Sequence, residues 1–286
     1  MRKLAHLLKL TKEELKVEIY NYLRQKKMNP IYEDGFVYAE GDIPILLVAH
    51  MDTVFDVPPK RIFYSNKEDK IFNPDGGLGG DDRCGVYAIM RLLEKYRPHV
   101  LFTEDEEIGC IGARKTVDKL PKPNVKYIIE LDRRGSNDCV FYECGNDDFI
   151  DYVESFGFKT DYGTCSDISV LGSEWDIAAV NLSSGYYHEH TKEEYVIFNQ
   201  LLNNINRVAS MLNAYEKAPY FDYQEIYYAP SPSPLVFEDW RDEDLFLWLE
   251  QYYGNKNSYA QQERDFDKKL ILKKEEKTNN EEDDKQ

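Results

Sequence analysis

The 286-residue sequence is short of positive charge: 36 Lys and Arg stand against 53 Asp and Glu, a net charge of -17. Binding a nucleic-acid backbone needs a basic footprint, so nucleic acid is excluded as a partner. Docking on anionic lipid is excluded for the same reason. Cysteine is also scarce. The five residues (Cys84, Cys110, Cys139, Cys144, Cys165) are an odd number, lack framework spacing and contain no C-x-x-C pair. That argues against a thiolate zinc site and for reduced thiols in a cytoplasmic setting. Long apolar runs are missing too. The start, MRKLAHLLKLTKEEL, has a short apolar stretch broken by His6 and Lys9, without a cleavage pattern. No later segment is long enough to span a membrane, so a membrane role is not expected. Internal repeats are not evident.

What remains describes a folded protein, with 42% hydrophobic and 14% aromatic residues. The length suits one large α/β domain or two small ones. Thr11 and Glu14 make a capping box, and Leu15, Ile19 and Leu23 follow at helical spacing, which predicts a helix over 11–26. Residues 36–39 and 43–49 read as strands. The second is wholly apolar, as a central strand covered on both faces should be. A hairpin is expected across 61–73, turning at 66–69. The glycine-rich loop at 76–80 opens a helix through residue 95. Strands are then expected at 100–103, 127–131, 140–143 and 177–182, with helices at 109–119 and 147–155. A long amphipathic helix over 193–215 carries Val196, Leu201, Ile205, Val208 and Leu212. Alternation of this kind predicts an α/β fold: a three-layer sandwich, its mixed sheet parallel in the centre and flanked by helices.

That catalytic unit is expected to occupy residues 1–215. Beyond it the composition changes. Residues 216–260 read as a proline- and tyrosine-rich extension, with one short helix at 237–253 around Trp240, Leu245, Leu247 and Leu249. Residues 261–286 are charged, and their run KKEEKTNNEEDDKQ predicts a disordered tail.

Metal-type side chains recur where strands end. His50 and Asp52 follow the apolar strand, and an Asp two residues on can hold the second nitrogen of a ligating His. Asp81 and Asp82 sit between glycines, where one carboxylate could bridge two ions; alone, such a pair is more often a helix cap. Glu106 and Glu107 lie between an apolar strand and a small-residue turn. They could divide labour, one on a metal and one moving protons. Asp132 ends a fourth strand, and His188 and His190 follow a fifth. Each patch has an ordinary reading as surface or cap. In order, they supply His, Asp, Glu, Asp and His from successive strand ends, where an open α/β sheet places its sites.

The stretches LLVAHMDTV (46–54), GGDDRCG (79–85), TEDEEIGCIGA (103–113), IELD (129–132) and NLSSGYYHEHTKEEYV (181–196) resemble a known group. It is the co-catalytic di-zinc exopeptidases and deacylases, which include peptidase T, the glutamate-type carboxypeptidases and the bacterial leucyl aminopeptidases. The resemblance spans residues 45–210, and the closing motif is most similar to that of peptidase T. It implies two divalent ions, zinc first and manganese or cobalt as alternatives. Asp81 would bridge them, His50 and Asp132 would complete one ion, and Glu107 and His190 the other. Asp52 would orient His50. Glu106 would be the general base, taking a proton from a water shared by the two metals and returning it to the leaving amine. The resemblance also implies a cis bond between Asp81 and Asp82.

Many relatives with this closing motif carry a lid or dimerisation domain between the fourth and fifth ligands. Here 57 residues separate Asp132 from His190, too few for one, so a lidless unit is expected. Substrate contacts are then open. Candidates are Arg133, Asp167, Tyr187 and His188, with Tyr186 and Arg134 as further oxyanion partners and Ser166 beside Asp167. The leading function is an exopeptidase on short peptides. An amidohydrolase acting on N-acyl amino acids uses the same chemistry. A non-catalytic binding protein on the same fold is the reading from another class.

Overall fold

In strand β3 (Ile43–His50), side chains alternate between two separate buried clusters: Ile45, Leu47 and Ala49 join one, Leu46 and Val48 the other. This period-two division is what a central strand with helices on both faces requires. It is seen here in a computed structural model that describes residues 1–142, 144–221 and 223. The expected short helix at 237–253 and the charged tail at 261–286 lie outside the described residues, as does all of the 216–260 extension except 216–221 and 223.

The main sheet has eight strands. Its order is β1 (Ile31–Glu33), β2 (Phe36–Ala39), β6 (Pro98–Thr103), β3, β7 (Ile128–Arg133), β10 (Ala179–Ser183), β8 (Asp138–Val140) and β9 (Lys159–Thr160). The four central strands β6, β3, β7 and β10 are parallel. Antiparallel pairs β2–β6 and β10–β8 flank them, so the sheet is mixed and centrally parallel, as expected. Helices α1 (Arg2–Leu7), α2 (Lys12–Gln25), α3 (Gly80–Leu92), α5 (Asp147–Glu154) and α7 (Phe198–Asn213) contribute to the larger cluster. Helices α4 (Ile111–Lys119) and α6 (Asp167–Trp175) contribute to the smaller one.

Local signals explain several of these bounds. Thr11 caps α2 in a full capping box, its hydroxyl accepting from Glu14 N–H and the Glu14 carboxylate from Thr11 N–H. In α7, Leu201, Ile205, Val208 and Leu212 return to one face and are buried. Each such side chain contributes about 1.5–3 kcal/mol when fully buried, and Val208→Asp would place a charge in that seam.

Two expected elements need correction. The helix assigned to 193–215 begins at Phe198, because Tyr195–Ile197 form β12 instead. The strand assigned to 140–143 is β8 at Asp138–Val140; the chain then turns, with Cys144 N–H bonded to Phe141 O at 2.7 Å. Strand β12 belongs to a second, antiparallel sheet in the order β11 (Tyr186–Tyr187), β12, β5 (Lys70–Phe72), β4 (Phe63–Ser65). The last two strands are the expected hairpin. The sheet ties the segment carrying His188 and His190 to the strand that leads into the glycine loop. Residues 133–189 supply β8, α5, β9, α6, β10 and β11 to these sheets and layers. Among the described residues, no separate inserted domain lies between Asp132 and His190, and no helix is long and apolar enough to cross a membrane.

Candidate metal centre

The C-terminal ends of β3, β6 and β7 and the start of α3 converge at one edge of the sheet. His50 ends β3, Thr103 ends β6, and Asp132 lies one residue from the end of β7. Two glycines let α3 approach. A Cβ on Gly85 would meet Leu131 O at 2.3 Å, and one on Gly80 would meet the side chains of Val196 and Glu194 at 3.0 and 3.1 Å. The Asp81–Asp82 peptide is cis. The two carboxylates of the pair face different ways. Asp82 acts as a cap, accepting from Gly85 N–H at 2.8 Å and from His50 N–H at 3.3 Å, while Asp81 points into the cluster.

Asp81 faces both ways. Its Oδ1 lies 3.1 Å from His50 Nε2, and its Oδ2 lies 3.2 Å from His190 Nε2. His50 Nε2 is also 3.4 Å from Asp132 Oδ1, and His190 Nε2 is 2.9 Å from Glu107 Oε2. The donor atoms therefore form two triads, His50–Asp81–Asp132 and Asp81–Glu107–His190, each with atoms within 4.8 Å of one another. A third overlapping group joins His50, Glu106 and Glu107. One imidazole and two carboxylates per triad suit a divalent ion with nitrogen and oxygen ligands. The residues fit a metal pair that shares Asp81.

Electrostatics support that fit. Among the described residues, the ion pairs of Asp81, Glu107 and Asp132 are all with His50 and His190. Burial, with Asp81 beside it, holds the Asp132 carboxyl up to about 6. Burial also pushes Glu106 up to about 9, His50 opposing and Asp132 and Asp167 adding to it. For His50, burial alone would lower the pKa; Asp132, Asp52 and Asp81 outweigh it and raise it well above the ordinary value. Hydrogen bonds to Asp81 and Glu107 raise His190 to about 11. Negative charge has collected here without a lysine or arginine paired to these three carboxylates. A divalent cation satisfies such a cluster directly.

Asp52 sits behind the cluster. Its Oδ1 is 3.4 Å from His50 Nδ1, a nitrogen that is otherwise buried without a hydrogen-bond partner. The same carboxylate accepts from Glu106 N–H and Glu107 N–H, each at 3.2 Å. One side chain thus lies against the imidazole and also holds the turn that presents both glutamates.

Sequence reasoning missed two positioning residues. Glu194, buried, accepts from the N–H groups of Leu78, Gly79 and Asp81 at 3.1, 2.6 and 3.0 Å, and so holds the glycine loop in place. Asn181, buried in the middle of β10, accepts from Asp132 N–H at 2.9 Å and donates to Asp132 O at 2.8 Å. Both lie in the closing stretch that carries the resemblance, but neither residue type announces a role there. Ser166 donates to Glu130 Oε2 at 2.6 Å and to Asp132 Oδ2 at 3.1 Å, and Tyr186 donates to Asp132 Oδ1 at 3.1 Å.

The candidate substrate residues are placed less centrally. Arg133 is engaged by Asp161 Oδ2 and Tyr162 O, both at 2.8 Å, and Arg134 by Glu189 at 2.8 Å. Tyr187 donates to Gln200 at 2.7 Å and stacks on Tyr195. The His188 ring packs 5.5 Å from that of Tyr195, whereas His190 enters the cluster. Asp167 is buried and holds the hydroxyl of Thr103.

No family model and no curated protein matches the sequence. Solved structures match the fold. A tripeptidase from Staphylococcus aureus is 12% identical with a TM-score of 0.64, over 75% of this chain and 97% of that one. Aminopeptidase PepT from Bacillus cereus is 14% identical with a TM-score of 0.60, over 75% of this chain and 97% of that one. An aminopeptidase from the archaeon Desulfurococcus kamchatkensis is 14% identical with a TM-score of 0.57, over 76% and 94%. The chain has the mixed α/β fold of these tripeptidases and aminopeptidases.

Proposed function

We propose that this chain is a two-metal hydrolase of peptide bonds, acting as an exopeptidase on short peptides. The observation that carries the reading is Asp81, whose two oxygens face His50 and His190 separately and so serve two triads at once. Asp81, His50 and Asp132 would hold one divalent ion, zinc by the donor set, and Asp81, Glu107 and His190 the other. Bound there, the ions would acidify water and polarise the scissile carbonyl.

The chain's own groups do the rest. Glu106 lies beside both triads without belonging to either; with cations bound beside it to favour the ionised form, its carboxylate would take a proton from the attacking water and pass it to the leaving amine. Asp52 holds His50 from behind through Nδ1 and keeps Glu106 in place through its backbone N–H. Glu194 and Asn181 fix the backbones of Asp81 and Asp132. The named activities of the structural neighbours, tripeptidase and aminopeptidase, support peptide as the substrate class.

Metal analysis of freshly purified protein, coupled to digestion of a library of di- and tripeptides and N-acyl amino acids, tests the reading. The expected result is two divalent ions per chain and shortening of peptides from one end. Absence of bound metal, or turnover that survives thorough chelation, would overturn it. Turnover confined to N-acyl amino acids would make the chain a deacylase instead.

A further inference from the structure

We propose that Cys110 and Cys165 form a paired-thiol modification site that takes a two-electron oxidant of the peroxide class and couples its oxidation to Glu106. The two sulfurs lie 3.8 Å apart although 55 residues separate them in sequence. Cys110 Sγ is at the same time 3.9 Å from Glu106 Oε1. The pair spans the entries to α4 and α6, just beside the metal cluster.

The two thiols are unequal in the way a reacting and a resolving cysteine should be. Cys165 is exposed and meets the oxidant first; Cys110 is buried behind it. The Cys110 thiol, then the Ser169 hydroxyl and Arg114, hold the Cys165 thiol down to about 6, against burial. That direction favours the thiolate, the form that attacks a peroxide. The remaining cysteines, Cys84, Cys139 and Cys144, are buried.

The chemistry balances. The Cys165 thiolate attacks one oxygen of hydrogen peroxide; the O–O bond breaks, and the departing hydroxide takes a proton to become water. The Cys110 thiol then attacks the resulting sulfenic sulfur. The S–S bond forms, and the hydroxyl leaves with the Cys110 proton as a second water. Two thiols lose two electrons, and one peroxide becomes two waters.

Closure has a mechanical consequence. A disulfide is ~2.05 Å long, so sulfurs now 3.8 Å apart must approach by roughly 1.8 Å. Cys110 belongs to the same turn as the base, its N–H bonded to Glu106 O at 2.9 Å, and has a left-handed φ of 55°. Drawing its sulfur toward Cys165 removes the thiol from Glu106 Oε1 and pulls on the turn that presents Glu106 and Glu107.

The test treats metal-loaded, full-length protein with hydrogen peroxide, then counts thiols after denaturation, maps linked peptides and measures peptidase turnover. Two of the five thiols should disappear, and one cross-link should join Cys110 to Cys165. Turnover should fall by roughly tenfold to a hundredfold, as for a misplaced catalytic group, and return on reduction with metal resupplied. Cys165→Ser, and Cys165→Ala as a second variant, should keep their untreated activity and resist the oxidant. Oxidation of Cys165 to sulfinic acid without a cross-link would overturn the pairing. A cross-link that leaves turnover unchanged would overturn the coupling to Glu106. Only the turnover arm rests on the peptidase reading; the thiol count and peptide map do not, so the two failures are told apart.

Discussion

Four consecutive acids, Glu104 to Glu107, meet two different fates within one turn of chain. Glu104 and Asp105 are each matched by a lysine of α2: Lys16 reaches Glu104 Oε2, and Lys12 lies 2.6 Å from Asp105 Oδ1. Among the described residues, Glu106 and Glu107 have no such partner. Glu107, among the described residues, pairs only with His190, which Asp81 shares, and Glu106 sits where burial and neighbouring carboxylates push it up to about 9. The protein supplies its own cations to the first pair and leaves the second to imidazoles in a crowd of buried acids. Where a fold repeatedly neutralises acids with lysine, an unneutralised cluster a few ångströms away marks a place for a cation from outside. On the proposed function, the first pair serves the fold and the second the chemistry.

The largest effect should come from the pair left without lysine. Glu106→Gln keeps the shape of the side chain and removes its ability to accept a proton, so turnover should fall about 10²–10⁴-fold. Metal content should stay at the level of the unsubstituted protein, because Glu106 is outside both triads. Steady-state kinetics beside elemental analysis measure the two quantities together. Retained turnover, or loss of metal, would erase the distinction drawn between Glu106 and Glu107.

Next in size is the opposite test, on the lysine-matched pair. Lys16 is 7% and Glu104 11% exposed at the side chain, and Glu104 also accepts from Gly35 N–H. Lys16→Met strands a buried carboxylate and should cost about 3–5 kcal/mol of stability. The double substitution Lys16→Met with Glu104→Leu should recover much of it. Urea titration with and without a chelator reads the result. The comparison requires the same loss in both; a loss that vanished in chelator would tie Lys16 to the metal cluster instead.

Why these acids divide as they do is not written in their local sequence. Lys16 lies 88 residues from Glu104, and nothing in TEDEE says which carboxylates will meet it. The fold was legible where a signal was local and strong: the wholly apolar β3, the capping box of α2, the strand ends that carry His50 and Asp132. It was misread where a distant partner decided. Residues 195–197 continue the helical spacing of α7, yet pairing of Tyr195 with Phe72 and Val196 with Ile71 makes them a strand. The candidate ligands could be read because five motifs recur in a fixed order. Glu194 could not, since an acid after Lys192 and Glu193 looks like solvated surface until the loop at 78–81 closes on it.

Glu194 gives the third prediction. It supports the acid cluster from the protein side, accepting three N–H groups with a carboxylate. Glu194→Gln keeps the size but turns an amide NH₂ toward those donors, loosening the loop that carries Asp81. Metal affinity should drop about 10–100-fold, as for other residues that orient a ligand, with the fold retained. Competition with a chromogenic chelator measures it. Unchanged affinity would reduce Glu194 to a loop brace with no bearing on the metals.

The smallest effect should come from Lys12, and it bears directly on where the boundary between the two fates falls. Lys12 and Asp105 are 30% and 27% exposed at the side chain, so water screens their attraction and Lys12→Ala should cost no more than about 1 kcal/mol. The cost should shrink further in salt, unlike that of Lys16→Met, because a half-open pair is screened and a buried one is not. Turnover and metal content should not move, since Asp105 pairs with Lys12 of α2 and belongs to neither triad. A clear fall in either would mean that Asp105 works with Glu106 after all, and that the line between structural and chemical acids lies one residue earlier in the run.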